Sequence, residues 1–358
     1  MASITSSPSV SLRDPGRDRA MVRAWLIVVI LMIVAMVVVG GATRLTHSGL
    51  SITEWQPIHG VIPPLNQAQW QEEFAKYQQI PEYQQINMGM TLGEFQGIFW
   101  WEWSHRLLGR AIGAVVLLPL IFFWVSGRIE ARMKPRLVAL FLLGGLQGAI
   151  GWWMVKSGLS VRTDVSQYRL AIHLTFAALI LAYTVWLSRG LAPSPLSGSR
   201  RRLRGIAALI VGLTFLQIFL GGLVAGLDAG LTYNTWPLMD GTLVPSGLFA
   251  LHPWWRNLFE SVMTVQFDHR IGAYLLFAVA WAHVWQARAT PYGRGALGLA
   301  LLVTLQACLG IATLVMVVPL HVALTHQLGA VTVLIAGVVH LRRMWPAVPV
   351  AATAPGAA

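Results

Sequence analysis

Glu102-Trp103-Ser104-His105-Arg106-Leu107-Leu108-Gly109 sets a histidine–arginine pair at the head of an apolar run, and Gln266-Phe267-Asp268-His269-Arg270-Ile271-Gly272 does so again. Two more histidines open apolar runs: His173 in Ala171-Ile172-His173-Leu174-Thr175, and His326 in Leu324-Thr325-His326-Gln327-Leu328-Gly329-Ala330. An imidazole at membrane depth is costly unless something uses it. Four of them in a repeated arrangement therefore govern how the rest of the chain is read.

Of the 358 residues, 56% are hydrophobic and 11% charged, which points to a polytopic membrane protein and not to a soluble domain around one core. The 16 Trp and 34 Gly suit aromatic belts and close helix contacts. A net charge of +12 would fit a nucleic-acid partner, but the arginines sit in short loops between apolar runs, where topology accounts for them. The single cysteine, Cys308, excludes an intramolecular disulfide and is expected to be a small core residue of the seventh helix. Ala24–Val39 runs on into Gly-Gly-Ala-Thr with no small-residue cleavage site, so it reads as a retained first helix.

Eight apolar segments of spanning length emerge, at about 23–43, 98–126, 137–155, 168–188, 205–225, 266–287, 296–316 and 321–341. Clusters such as Arg128, Arg132, Lys134 and Arg136, or Arg200, Arg201, Arg202 and Arg204, fall at alternate connections, and both termini are expected in the cytoplasm. His173 and His326 then stand about 24 Å along a helix from cytoplasmic Arg189 and Arg342, so the histidines share one layer in the outer half of the membrane. The chain also repeats. Gly40-Gly41, Gly49-Leu50, Trp55, Gly60 and Pro64 recur 181 positions later as Gly221-Gly222, Gly230-Leu231, Trp236, Gly241 and Pro245. His105-Arg106 recurs as His269-Arg270, Leu146-Gln147 as Leu305-Gln306, and His173 as His326. The expected fold is all-α, with eight transmembrane helices forming two parallel-repeat four-helix bundles. Its parts are a cytoplasmic tail (1–22), an N-terminal half (23–190), a cytoplasmic linker (191–204), a C-terminal half (205–343) and a second cytoplasmic tail (344–358). In the first outer loop, Trp70, Phe74 and Tyr77 recur at helical spacing within 67–79, which predicts a short amphipathic helix on the outer surface, either a lid or a packed loop helix.

Neutral imidazoles from neighbouring helices are good axial ligands for haem iron, and two per iron give a six-coordinate site. The four histidines read as two such pairs, with Arg106 and Arg270 suited to propionates. Zinc fits less well, since no carboxylate or cysteine keeps a tetrahedral spacing with them. His283 and His340 each follow a key histidine by 14 residues, the spacing of a stacked second haem. Pro119 and Leu187 break that pattern in the first half, and both histidines approach the arginine-rich interface, where imidazole is cheap. His47, His59 and His252 fall in outer loops, and His321 reads as a loop or capping residue. The first loop has Arg44, His47 and Glu54 where the second has Ala225, Asp228 and Thr235, and Glu102 is matched by Gln266. The half with more titratable groups is the better candidate for reaction. On spacing alone Glu54 is either a proton-moving carboxylate or a solvated loop residue.

With these residues in view the chain closely resembles the haem A synthase family over about residues 20–345. The resemblance rests on Gly40-Gly41-Ala42-Thr43-Arg44-Leu45-Thr46, Ser48 through Trp55, Glu102–Arg106 and Phe267–Arg270. It implies oxidation of the C8 methyl of haem O to the formyl of haem A through hydroxymethyl and gem-diol stages, for cytochrome oxidase assembly. It also implies a resident haem b on His269 and His326, substrate haem O on His105 and His173, and a catalytic Glu54. The implied partners are a haem O synthase and an unidentified electron acceptor. The implied location is a bacterial inner membrane, with the haem sites toward the periplasm. Lacking an outer-loop cysteine pair, the chain resembles the proteobacterial and mitochondrial type. Gly-rich helices leave self-association open. The rival readings are a di-haem b cytochrome that only transfers electrons from quinol and, further off, a proton-coupled transporter without metal.

Overall fold

Asp14 caps the first helix by accepting from the Gly16 N–H at 2.8 Å, and Pro15 supplies a backbone angle already suited to a first turn. The computed structural model describes residues 14–56, 59–192 and 201–345, which form helices and loops with no strand. In order these are α1 (Pro15–Leu45), α2 (Gln67–Tyr77), α3 (Pro81–Gln85), α4 (Leu92–Val125), α5 (Lys134–Val155), α6 (Gln167–Leu191), α7 (Arg201–Gly226), α8 (Asn257–Glu260), α9 (Val262–Ala287), α10 (Gly293–Val315) and α11 (Leu320–Arg343). Much of the expected tails and linker lies outside the described residues.

Among the described residues, seven helices are long and apolar enough to cross a membrane: α1, α4, α5, α6, α7, α10 and α11. The eighth expected segment is present as α9, a helix of 26 residues. Gln266, Asp268, His269, Arg270 and His283 make it too polar to qualify by length and composition alone.

The long helices pack in two rings. α1 meets α4, α4 meets α5, α5 meets α6, and α6 returns to α1; α7, α9, α10 and α11 close a second ring in the same order. Within each ring extensive packing is confined to neighbours, so α4 faces α6 across the first ring and α9 faces α11 across the second. The rings meet where α6 touches α7 and α11, and where α1 touches α11. Glycine sets that approach: a Cβ on Gly222 of α7 would stand 2.8 Å from the Ala171 Cα of α6. Helices in lipid associate by this kind of close packing because apolar burial gives them little net drive.

α4 starts earlier than its apolar run suggests. Thr91 accepts from the Glu94 N–H at 3.3 Å while the Glu94 carboxylate accepts from the Thr91 N–H at 2.8 Å, a reciprocal cap. Its 34 residues span about 51 Å, longer than the ~30 Å hydrocarbon layer. On its N-terminal turns sits α2, the helix expected at 67–79. Trp70 packs on Phe99 and Trp100 with ring centroids 4.9 and 5.6 Å away, and Phe74 lies 5.1 Å from Phe95. The apolar face of α2 is thus spent on protein and not laid into a lipid surface. Cys308 also departs from expectation, for it is exposed on α10 and not in the core. An apolar run cannot separate core from lipid-facing positions, because lipid tails are as apolar as leucine.

Candidate functional site: paired histidines within two helix rings

His105 lies on α4, His173 on α6, His269 on α9 and His326 on α11, so each pair sits on helices that face each other across a ring. The rings of His105 and His173 are close enough to interact electrostatically, and so are those of His269 and His326. All four side chains are half-buried. Each rests on a glycine of the preceding long helix. A Cβ on Gly40 would lie 2.9 Å from His105 Nε2, one on Gly151 2.9 Å from His173 Cε1, one on Gly221 3.3 Å from His269 Cε1 and one on Gly310 2.8 Å from His326 Cε1. The contact recurs four times, always between the first and second helix of a hairpin pair.

One turn before three of these glycines stands a glutamine, a feature only partly visible in the sequence. Gln217 Nε2 donates to the His269 carbonyl at 2.8 Å and lies 3.0 Å from its Nδ1. Gln306 does the same for His326 at 2.8 and 3.0 Å, and Gln147 for His173 at 3.1 and 3.2 Å. The Oε1 atoms of all three are buried without a hydrogen-bond partner. Leu146-Gln147 and Leu305-Gln306 were legible as repeats, whereas Gln217 was not, because Met36 stands 181 positions before it.

The two arginines beside His105 and His269 staple the loops that follow α1 and α7. Arg106 donates to the Glu54 carbonyl at 2.8 Å, to the Ile52 carbonyl at 2.6 Å and to Glu102, with which it also forms an ion pair. Arg270 donates to the carbonyls of Tyr233, Thr235 and Leu238 and to Gln266 Oε1. Buried Glu102 accepts from Ser51 Oγ and the Ile52 N–H, both at 2.7 Å, while Gln266 donates to the Ala229 and Thr232 carbonyls at 2.6 Å. The Glu-to-Gln difference between the halves therefore follows what each loop presents, N–H and O–H donors in one and carbonyl acceptors in the other.

Glu54 is half-exposed, accepts from Gln56 Nε2 at 2.6 Å and pairs with Lys76 at 3.4 Å. It borders a cavity of about 310 Å³ beneath α2, with Trp103, Arg106 and Arg110 on its α4 side. At 100° per residue, Trp103 and Arg110 lie about 140–160° round α4 from His105, so Glu54 overlooks a different face of that helix. Glu102, one turn before His105, is the nearer buried carboxylate. Arg44, at the end of α1, reaches the Ala225 carbonyl and Asp228, the latter at 2.6 Å, and so ties the first ring to the second.

The remaining histidines resolve differently. His283 and His340 are buried, not at a wet interface, and their Nε2 atoms hydrogen-bond directly at 2.9 Å, which leaves no space for a porphyrin between them. His321 is exposed at the start of α11, His47 adopts a positive φ of 51° just after α1, and His252 precedes a cis proline. The His59 side chain lies outside the described residues.

The donor set fits a haem. Two imidazoles approach from opposite sides of each ring, on glycine shelves that any Cβ would fill. Among the described residues no group of three or more His, Cys, Asp or Glu could hold a bare metal ion. Fold and site together define an all-helical polytopic membrane protein whose histidines pair inside two helix rings. Residues 23–338 match the COX15-CtaA family, described as cytochrome oxidase assembly protein. The chain is 59% identical to heme A synthase of Mesorhizobium japonicum, over 96% of both chains. It is 58% identical to heme A synthase of Chelativorans sp. over 98% of both, and 56% identical to that of Brucella ovis over 94% of this chain and 97% of the relative. The chain belongs to the COX15-CtaA family.

Proposed function

We propose that this chain is a haem A synthase, oxidising the C8 methyl group of haem O to the formyl group of haem A for cytochrome oxidase assembly. The observation that carries the reading is the histidine pair on facing helices, repeated in both rings of a chain at least 56% identical, over nearly its whole length, to proteins of that name. A di-haem cytochrome that leaves its haems unmodified has no such support.

In this reading α9 is the eighth span, the halves are parallel repeats, and both termini lie in the cytoplasm of a bacterium. The histidine layer then faces the periplasm across the inner membrane. His105 and His173 hold the substrate haem O, delivered by a haem O synthase. His269 and His326 would hold a resident haem b, and that group would supply an electron relay between the substrate site and an acceptor. Arg106 and Arg270 keep the outer loops in register over the two sites, and their remaining donors are suited to propionates. Glu54 takes up protons released on oxidation, once freed from Lys76 and Gln56. The charged loop beside the first ring suits the reacting site, and the more neutral second loop suits a relay.

Expression in a cell that makes haem O but no haem A tests this directly. Mass analysis of extracted haems should show haem A with the wild-type chain and little or none with His105→Ala. Haem O alone, beside a folded wild-type protein carrying haem b, would contradict the reading.

A further inference from the structure

The four histidines are not held alike. His269 and His326 each carry a glutamine amide on their own carbonyl, from Gln217 and Gln306. Each also has a glycine one turn later that receives the amide oxygen. A Cβ on Gly272 would be 2.5 Å from Gln217 Oε1, and one on Gly329 2.0 Å from Gln306 Oε1. His173 has its glutamine, Gln147, but Phe176 stands one turn on. His105 has neither. The position one turn before its shelf glycine is Met36, one turn after it is Leu108, and its ring makes no hydrogen bond among the described residues. A ring fixed before the metal arrives has its orientation prepaid, and an unfixed one must be ordered on binding, which weakens the ligand.

We propose that His105 is the exchangeable ligand of the pair it forms with His173: haem docks on His173, His105 closes last, and the product leaves by release of His105. The inference rests on the N-terminal pair being the substrate site and adds which of its two bonds opens. Release breaks the dative bond from His105 first and the one from His173 after it, and neither step moves an electron or a proton. The second ring, with both rings clamped, is the retaining site. The Gln217/Met36 difference thus separates a site that must turn its haem over from one that must keep it.

The test uses the full-length chain purified with its haems and exposed to excess apomyoglobin. Haem loss is followed optically, and the haem type in each phase is identified by mass. Haem O or haem A should leave in a fast phase and haem b in a slow one. Met36→Gln should slow the fast phase about tenfold, and Gln217→Met should speed haem b loss by a similar factor. A fast phase unchanged in a Met36→Gln protein of normal haem load overturns the proposal. Should Met36→Gln fail to fold, His105→Ala and His173→Ala decide. The first should retain a five-coordinate, CO-binding haem that the second loses, and the reverse pattern overturns the proposal. Haem b alone in both phases would defeat the substrate-site reading instead, and the response of the fast phase to Met36→Gln would still decide which ligand opens.

Discussion

Gly310 and Gly144 lie on the helices of opposite halves and differ in what surrounds them. A Cβ at 310 would sit 2.8 Å from His326 Cε1, whereas one at 144 meets nothing within 4 Å. Gly310→Ala must displace the imidazole and should lower bound haem b about tenfold, while Gly144→Ala should leave it unchanged; a pyridine haemochrome assay on both variants checks this. Glu82 offers a pH handle outside the spans. It is buried beside Tyr77, whose hydroxyl bonds it at 3.2 Å, and burial pushes its carboxyl up to about 7, with smaller upward contributions from Glu102 and Asp164. The fold favours the neutral acid, so this contribution is full below the ordinary carboxyl range and is lost as pH rises through about 7. Glu82→Gln should therefore be more heat-stable than wild type at pH 8, by up to about 3 kcal/mol, and the gap should close by pH 4; a gap independent of pH would show that the carboxyl does not titrate there. At this scale the sequence was readable wherever a residue type is rare for its surroundings, as with the four histidines and the shelf glycines Gly40 and Gly221. It was not readable where the partner decides the meaning. The 14-residue spacing of His283 and His340 was visible, but that they bond each other was not. Cys308 could not be placed, since protein core and lipid select the same side chains.

Among the elements, α2 and the N-terminal end of α4 form one aromatic unit. Trp70 has Phe99 and Trp100 edge-on, and Phe95 is fully buried between Phe74 and Tyr77. Trp70→Ala should cost about 3 kcal/mol locally. It should appear as faster proteolysis within residues 54–80, with the histidine-bound haems retained; loss of both haems would mean that the unit supports the whole bundle. The spacing of Trp70, Phe74 and Tyr77 revealed the helix, whereas the start of α4 was missed, because its first turns, Leu92–Gly97, precede the apolar run and are set by the Thr91–Glu94 cap. What α2 packs against was hidden, because an amphipathic stripe fits lipid and a neighbouring helix equally well. α9 shows the opposite limit. Gln266, Asp268, His269 and Arg270 lower its mean hydropathy below that of the seven clear spans, although its apolar run 266–287 was legible.

The whole molecule is two rings joined at glycine contacts and by a few polar ties, among them Arg44–Asp228 and Gln327 Nε2 to the Val37 carbonyl at 2.8 Å. The repeat is proposed because Gly40-Gly41, Trp55 and Gly60 recur at a constant offset of 181, with a histidine-arginine pair following in the same order in each half. The proposed membrane orientation rests on arginine placement alone. A Cys308→Ser background carrying single cysteines at Asp240 or Arg132 checks it. A membrane-impermeant maleimide should label intact spheroplasts at 240 and not at 132, and the inverse labelling would invert the topology.

The most direct measurement is the identity of the porphyrins bound to purified wild type and to His105→Ala and His269→Ala. Wild type should yield haem b together with haem O or its oxidised products. His105→Ala should keep haem b and hold haem O only as a five-coordinate haem without its oxidised products, and His269→Ala should lose haem b and keep the other. Two haems b in the wild type, or loss of haem b from His105→Ala alone, would contradict the assignment of a reacting first ring and a retaining second.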